Sequence, residues 1–245
     1  EYEFMMASMN KRIHSGVETL FMMTSQDLYF VSSSMIKELF RYGGDISSYV
    51  PPQVVQRLLQ RGFDPNTPSP QLQPALTLAL QTDALMVAET LIAWPSIKVN
   101  QVNPNDETPL MMAAMLGQVR LAEQLIARGA DVNKTGWTPL HYACTKGNLD
   151  VAKFLVANGA VVDSNALNGT TPLMMAVQSG NEELIRFLLD NGADLRIRNT
   201  QGFSAIDIAE IYEKPWIADG LKSRWQRLYK QPYPGPLKPL PAKSS

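Results

Sequence analysis

TPLMMAAMLGQVRLAEQLIARGADVN, residues 108–133, starts two helices and stops both. Thr108 has the hydroxyl of a capping residue, and Pro109 suits the first helical position, where its missing N–H is not needed. The apolar stretch from Pro109 to Leu116 predicts a short helix that Gly117 ends in a backbone conformation other residues resist. A second helix follows from about Val119 to Arg128. It puts Val119, Ala122, Leu125 and Ile126 on one side and turns Arg120, Glu123, Gln124 and Arg128 toward water. Gly129 stops it, and Ala130-Asp131-Val132-Asn133 turns the chain onward. A hairpin this small cannot bury its apolar side alone, so it needs neighbours.

Those neighbours are written in the sequence. Thr-Pro-Leu stands at 108–110, 138–140 and 171–173, and Ser204-Ala205-Ile206 sits where a fourth copy belongs, giving intervals of 30, 33 and 33. Gly117, Gly147 and Gly180 each follow nine residues after the Thr. Each unit closes alike, on Arg128-Gly129-Ala130, Asn158-Gly159-Ala160 or Asn191-Gly192-Ala193. An earlier closing, Arg61-Gly62-Phe63-Asp64-Pro65-Asn66, and the 34-residue steps from Leu76 to Leu110 and from Leu91 to Leu125 carry the period back. The short step before Thr138 predicts a clipped hairpin loop. In the fainter Pro74 unit Trp94-Pro95 replaces the helix-ending glycine, and the Ser204 unit, without its proline, reads as a terminal cap.

Thr138-Pro139-Leu140-His141-Tyr142-Ala143 and its phased copies resemble the ankyrin repeat over roughly residues 55 to 212. The resemblance implies a mainly α fold, an ankyrin-repeat solenoid of about four to five helix-turn-helix units. These span 56–66 in part, 74–100, 108–133, 138–163, 171–196 and a cap at 204–212. It also implies a non-enzymatic module that binds a protein partner through hairpin loops and concave inner helices. Candidate contacts in the loops are Asn103, Asn105, Asp106, Glu107, Lys134, Trp137, Asn165 and Asn168. His141 reads as a structural histidine bonding backbone between repeats rather than as a base or ligand, and Cys144 as a small buried filler. Met111, Met112, Met115, Met174 and Met175 read as core, with an adaptable binding surface as the alternative.

Composition removes several other functions. The 245 residues are 45% hydrophobic and 18% charged, ordinary for a folded chain. With 22 basic and 23 acidic side chains, the net charge of -1 lacks the basic excess that sequence-independent nucleic-acid binding needs. One cysteine excludes an intrachain disulfide scaffold. No apolar run approaches the roughly 20 residues of a membrane span. The expectation is therefore no metal, no nucleic acid and no membrane. Because the sequence opens on Glu1 rather than Met, a segment upstream is also expected.

The first fifty residues do not share the period. Thr19-Leu20-Phe21-Met22-Met23 suits a buried strand, and Tyr29-Phe30-Val31 leads through three serines into a helix from Met35 to about Tyr42. Serines before a helix are usual caps; the same hydroxyls and free N–H groups also make an anion site. Glu1-Tyr2-Glu3, Ala7-Ser8-Met9-Asn10, Phe21-Met22-Met23-Thr24, Val31-Ser32-Ser33-Ser34, Gly44-Asp45 and Val50-Pro51-Pro52 closely resemble the C-terminal part of phosphopantetheine adenylyltransferase. That family makes dephospho-coenzyme A from ATP and phosphopantetheine. The resemblance implies a truncated α/β, Rossmann-like nucleotidyltransferase fragment over residues 1–55, with Glu3, Leu28, Tyr29, Phe30, Val31, Ser32, Ser33 and Ser34 as ATP contacts. It also implies a cytoplasmic location. The family's His-x-Gly-His loop, its Lys and its Arg-Gly-Leu-Arg stretch would lie before Glu1, and neither His14 nor His141 stands in such a motif. Adenylyl transfer is therefore not expected of this sequence, and ATP is a cofactor only if an N-terminal half is supplied.

Pro51 to Gly62 serves equally as that enzyme's last helix and as the last helix of an ankyrin unit, which suggests two segments joined within one helix. At the other end, Trp216, Ile217, Gly220, Leu221, Trp225 and Leu228 predict a capping helix from 215 to about 229, within a 213–229 segment. Beyond it, the Pro-rich stretch 230–245 predicts an extended, solvated tail. That tail contains Pro236-Leu237-Lys238-Pro239, a match to a Pro-x-x-P ligand. Acids are absent after Asp219, so the basic side chains from Lys222 onward read as solvated, with an anionic contact as the alternative.

Overall fold

The structure is a computed structural model and describes residues 52–69 and 72–237. Every regular element among them is a helix. The strand and helix expected before Pro51, and with them the Rossmann-like fragment, lie outside the described residues; Pro52–Val55 are helical. The chain divides into two units, Glu1–Thr90 and Leu91–Ser245.

In the first unit, α1 (Pro52–Gln60) buries Val55, Leu58 and Leu59, the i, i+3, i+4 stripe of an amphipathic helix. Gly62 closes it at φ +89, with its N–H on the Leu59 carbonyl at 3.0 Å and the Phe63 N–H reaching Leu58 at 3.3 Å. Next, α2 (Ala75–Gln81) buries Leu76, Thr77, Ala79 and Leu80. The third helix, α3 (Leu85–Ala93), begins in this unit with Val87 and Ala88 buried.

The second unit opens with the end of α3, where Leu91 and Ile92 are buried. Trp94-Pro95 stands there in place of a glycine, and Arg128 reaches back to both carbonyls at 2.8 and 3.0 Å. Arg128 is thus exposed yet not merely solvated. Three hairpins follow: α4 (Pro109–Met115) with α5 (Val119–Ala127), α6 (Pro139–Lys146) with α7 (Leu149–Ala157), and α8 (Pro172–Ser179) with α9 (Glu182–Asp190). The last pair is α10 (Ala205–Ile211) with α11 (Pro215–Tyr229). Helices α4, α6, α8 and α10 pack in succession as an inner row, with α5, α7 and α9 as an outer row.

Each inner helix starts the same way. The hydroxyls of Thr108, Thr138, Thr171 and Ser204 accept the N–H three residues on, at 3.3 to 3.4 Å. Four residues share one register and are almost completely buried: Leu110, Leu140, Leu173 and Ile206. In the outer row Leu125, Leu155 and Leu188 do likewise, and each Leu→Ala there costs about 2–5 kcal/mol. In α5, Leu121 joins the buried side, and Gln124, read as water-facing, is half-buried because the next outer helix covers that edge.

Side chains also lock repeat to repeat. Asn148 donates to the carbonyls of Ala114 and Met115 at 2.9 and 2.8 Å, and Asn181 to that of Gly147 at 2.8 Å. Lys214 completes the ladder by donating to the Gln178 carbonyl at 2.9 Å. These donors satisfy carbonyls that an inner helix leaves open at its C-terminus.

At the C-terminus the expected helix forms, as α11, and one expectation, for the tail, needs correction. Helix α11 buries Ile217, Ala218, Leu221 and Trp225, whereas Trp216, Gly220 and Leu228 face solvent, because only one stripe can lie against α10. The segment after it, as far as Leu237, is not a free extended tail. Lys230 turns the chain at φ +57, and the Tyr233 ring stands edge-on to Trp225 at 5.1 Å. The Tyr233 hydroxyl donates to Asp207 at 2.6 Å, Arg198 donates to the Gly235 carbonyl at 2.8 Å, and the Leu237 N–H meets the Gly202 carbonyl at 3.4 Å. An aromatic ring and a hydroxyl aimed at a buried carboxylate hold this strap more firmly than water would. Lys238 and Pro239 of the Pro-x-x-P match lie outside the described residues.

Candidate functional site

The hairpin loops form a consecutive row. In the first, Asn103 is almost completely buried. Its Oδ1 accepts the N–H groups of Asn105 and Glu107, both at 3.0 Å, and its Nδ2 donates to Glu107 Oε2 at 2.7 Å. Asn103 therefore builds the loop and is not available to a partner, which corrects its place among the candidates. Glu107 is held as well, since Oε1 accepts the Tyr142 hydroxyl at 2.9 Å from helix α6. Burial and this carboxylate together push the Tyr142 phenol up. Asn105 and Asp106 stand exposed at the tip, Asp106 at φ +62.

The clipped loop before Thr138 is tied to the first. Lys134 is bonded to the Asp106 carboxylate and is mostly covered. Trp137 is half-buried, edge-on to the His141 ring at 5.1 Å. His141 itself is fully enclosed. Its Nδ1 accepts the Thr138 N–H at 3.2 Å, which leaves Nε2 to donate to the Thr170 carbonyl at 2.9 Å in the next repeat. Burial pushes its pKa down to about 4, and the Thr170 bond offsets part of that shift. A neutral ring held on both nitrogens is a structural strut. Cys144 is fully buried, and burial alone pushes its thiol up, away from the reactive thiolate form. In His141's place Met111 offers its sulfur to the Thr108 N–H at 3.3 Å. Met111, Met112 and Met174 are core, but Met115 and Met175 are half-exposed on the inner row, as are Tyr142 and Ile208.

The third loop, 165–170, carries a residue that the individually named candidates did not include. Leu167 is 89% exposed at its tip, between Asn165 and Asn168, which are exposed too. The loop beneath it is well fixed. Ala166 donates to the Thr170 carbonyl at 3.0 Å, Gly169 to Ala166 at 2.8 Å, and the Asn168 side chain accepts the Thr170 N–H at 3.1 Å. Gly169 has φ +73, and a Cβ there would stand 3.0 Å from Asn199 Cα, so the fourth loop presses directly on it. The Thr200 N–H donates to the Asn168 carbonyl at 2.9 Å, joining the two. An apolar residue inside a polar turn, outside any helical stripe, was the available signal.

The arrangement can present side chains rigidly. No cluster of His, Cys, Asp and Glu fit to hold a metal occurs among the described residues. No described helix is long and apolar enough to cross a membrane. The nucleotide contacts implied for Glu3, Leu28, Tyr29, Phe30, Val31, Ser32, Ser33 and Ser34 lie outside the described residues.

Comparison with known proteins agrees with two distinct resemblances. Phosphopantetheine adenylyltransferase from Heliobacterium modesticaldum is 52% identical over 64 residues, 26% of this chain and 38% of that enzyme. The Staphylococcus haemolyticus and Rhodospirillum centenum enzymes are 49% and 54% identical over 61 residues, covering 38% and 33% of their lengths. The chain thus spans between 33% and 38% of the length of these relatives. The family described as Ankyrin repeats (3 copies) matches residues 44–135, 76–166, 133–199 and 160–224 in overlapping registers. The stacked hairpins, their phased caps and this match together make the chain a member of the ankyrin-repeat family.

Proposed function

We propose that the chain is a non-enzymatic scaffold whose hairpin loops grip a protein partner. The observation that carries this reading is Leu167, an apolar side chain 89% exposed on a loop held at both ends by hydrogen bonds. Such pre-ordering lowers the entropy lost on association. Asn105, Asn165 and Asn168 supply polar contacts around it, and the half-exposed Met115, Tyr142 and Met175 extend the surface along the inner row. The test is calorimetry against a captured partner. Leu167→Asp and Asn168→Ala are expected to weaken it about tenfold or more while the fold stays intact. A partner indifferent to every loop and inner-row replacement overturns the reading.

Adenylyl transfer to phosphopantetheine is the second reading, favoured by the identity of about half to three such enzymes over a quarter of the chain. In it Glu3 and Leu28–Ser34 contact ATP. Titration with ATP and with phosphopantetheine decides: micromolar binding supports it, and no heat with either removes it.

A further inference from the structure

We propose that the groove between α9 and α11 docks an acidic peptide segment through one apolar anchor residue. This goes beyond the loop reading, because the groove is built from different helices. Its floor is Ile185 and Leu189 of α9 with Ile217 and Leu221 of α11, all buried, and it encloses about 280 Å³. Trp216, 57% exposed, lines the groove as an aromatic wall.

Gly220 is the second observation. It sits in the middle of α11 with an ordinary helical backbone, and nothing lies within 4 Å of where its Cβ would be. Neither a left-handed turn nor a close approach calls for glycine there, yet glycine weakens a helix. Its effect is to leave the groove open beside Trp216.

The rim sets the partner's charge. Arg186, Arg224 and Arg227 line the groove. Arg224 is positioned by Asp190 at 3.0 Å and by the Leu189 carbonyl at 3.0 Å. Arg186 and Arg227 make no ion pair among the described residues. Glu182, in the first turn of α9, is the one acid along the lining. An exposed tryptophan flanked by arginines is the composition of a binding hot spot, and its complement is an acidic segment bearing a Phe or Leu. The apolar floor and the chain's net charge of -1 argue against a polyanion as the intended ligand.

The probe is a fluorescein-labelled peptide of Asp and Glu around a central Phe, with a Lys counterpart as control, followed by anisotropy on the full chain. The acidic peptide is expected to bind in the micromolar range and more weakly at high salt. Trp216→Ala, Gly220→Leu and Arg227→Glu are each expected to weaken it about tenfold. Gly220→Leu fills the groove while raising helix propensity, so an unchanged or higher melting temperature separates lost binding from lost folding. Leu167→Asp leaves this binding unchanged, which keeps the outcome separate from that of the loop reading. No binding, indifference to the three variants, or equal affinity for the Lys peptide overturns the proposal. So does tighter binding of phosphatidylserine vesicles or polyuridylate through the same arginines.

Discussion

The Tyr233 hydroxyl meets the Asp207 carboxylate at 2.6 Å, at the register position where His141 meets the Thr170 carbonyl two repeats earlier. Both side chains also accept the N–H of their own cap residue, Ser204 at 2.7 Å and Thr138 at 3.2 Å. Within the array, His141 donates from this position to the carbonyl of the next repeat. The last inner helix needs an acceptor for a hydroxyl, and it has Asp207.

Tyr233→Phe removes that donor and leaves the buried carboxylate with Ser204 and Arg198. A loss of about 1–3 kcal/mol in urea unfolding is expected. An unchanged midpoint would mean that the strap adds nothing to the fold.

His141 makes the array acid-sensitive in a defined window. Its pKa is about 4 in the fold against 6.5 when unfolded, because burial disfavours the charged ring. Between those values the unfolded chain binds a proton that the folded chain refuses, so stability is full above pH 6.5 and falls as pH drops toward 4. The effect is on the order of 3 kcal/mol. His141→Met, the residue found in its place at Met111 and Met174, is expected to flatten this limb. Identical acid limbs in both proteins would refute the assignment.

Two glycines should respond in opposite directions to alanine. Gly169→Ala places a Cβ against Asn199 in a left-handed backbone and is expected to cost about 1–3 kcal/mol. Gly220→Ala meets open space in a helix and is expected to add up to about 1 kcal/mol. Thermal melts of the two variants check the sign of each.

Asn148→Ala strips the donors from the Ala114 and Met115 carbonyls at the end of α4. The expected destabilisation is about 1–3 kcal/mol. Hydrogen exchange should show the change first in the last turn of α4; uniform exchange along the array would contradict the local role.

The repeat was legible because its signals are local and phased: a capping hydroxyl, a proline, a glycine and an apolar register repeat in step from Thr108 to Gly192. His141 and Cys144 could be placed as core for the same reason. The strap could not, since Tyr233 pairs with a carboxylate 26 residues earlier through a contact that follows no period. Helical spacing in α11 selects Trp216 and Leu228 as readily as Trp225, and only packing against α10 decides which stripe is covered. Asn103 looked like a contact because it lies in a loop, but its amide serves two backbone N–H groups first. Leu167 lies inside the expected binding loop 165–170, but turn composition singles out only the asparagines on either side of it.

Because Tyr233 and Gly235 occupy the berth that another hairpin would take beyond α10, this end of the array is closed to simple lengthening. A duplicated hairpin inserted upstream of Ser204 would find the side-chain ladder on both sides, Asn181 before it and Lys214 after it. The same hairpin appended after Tyr229 would have to evict the tyrosine and leave Asp207 without its hydroxyl.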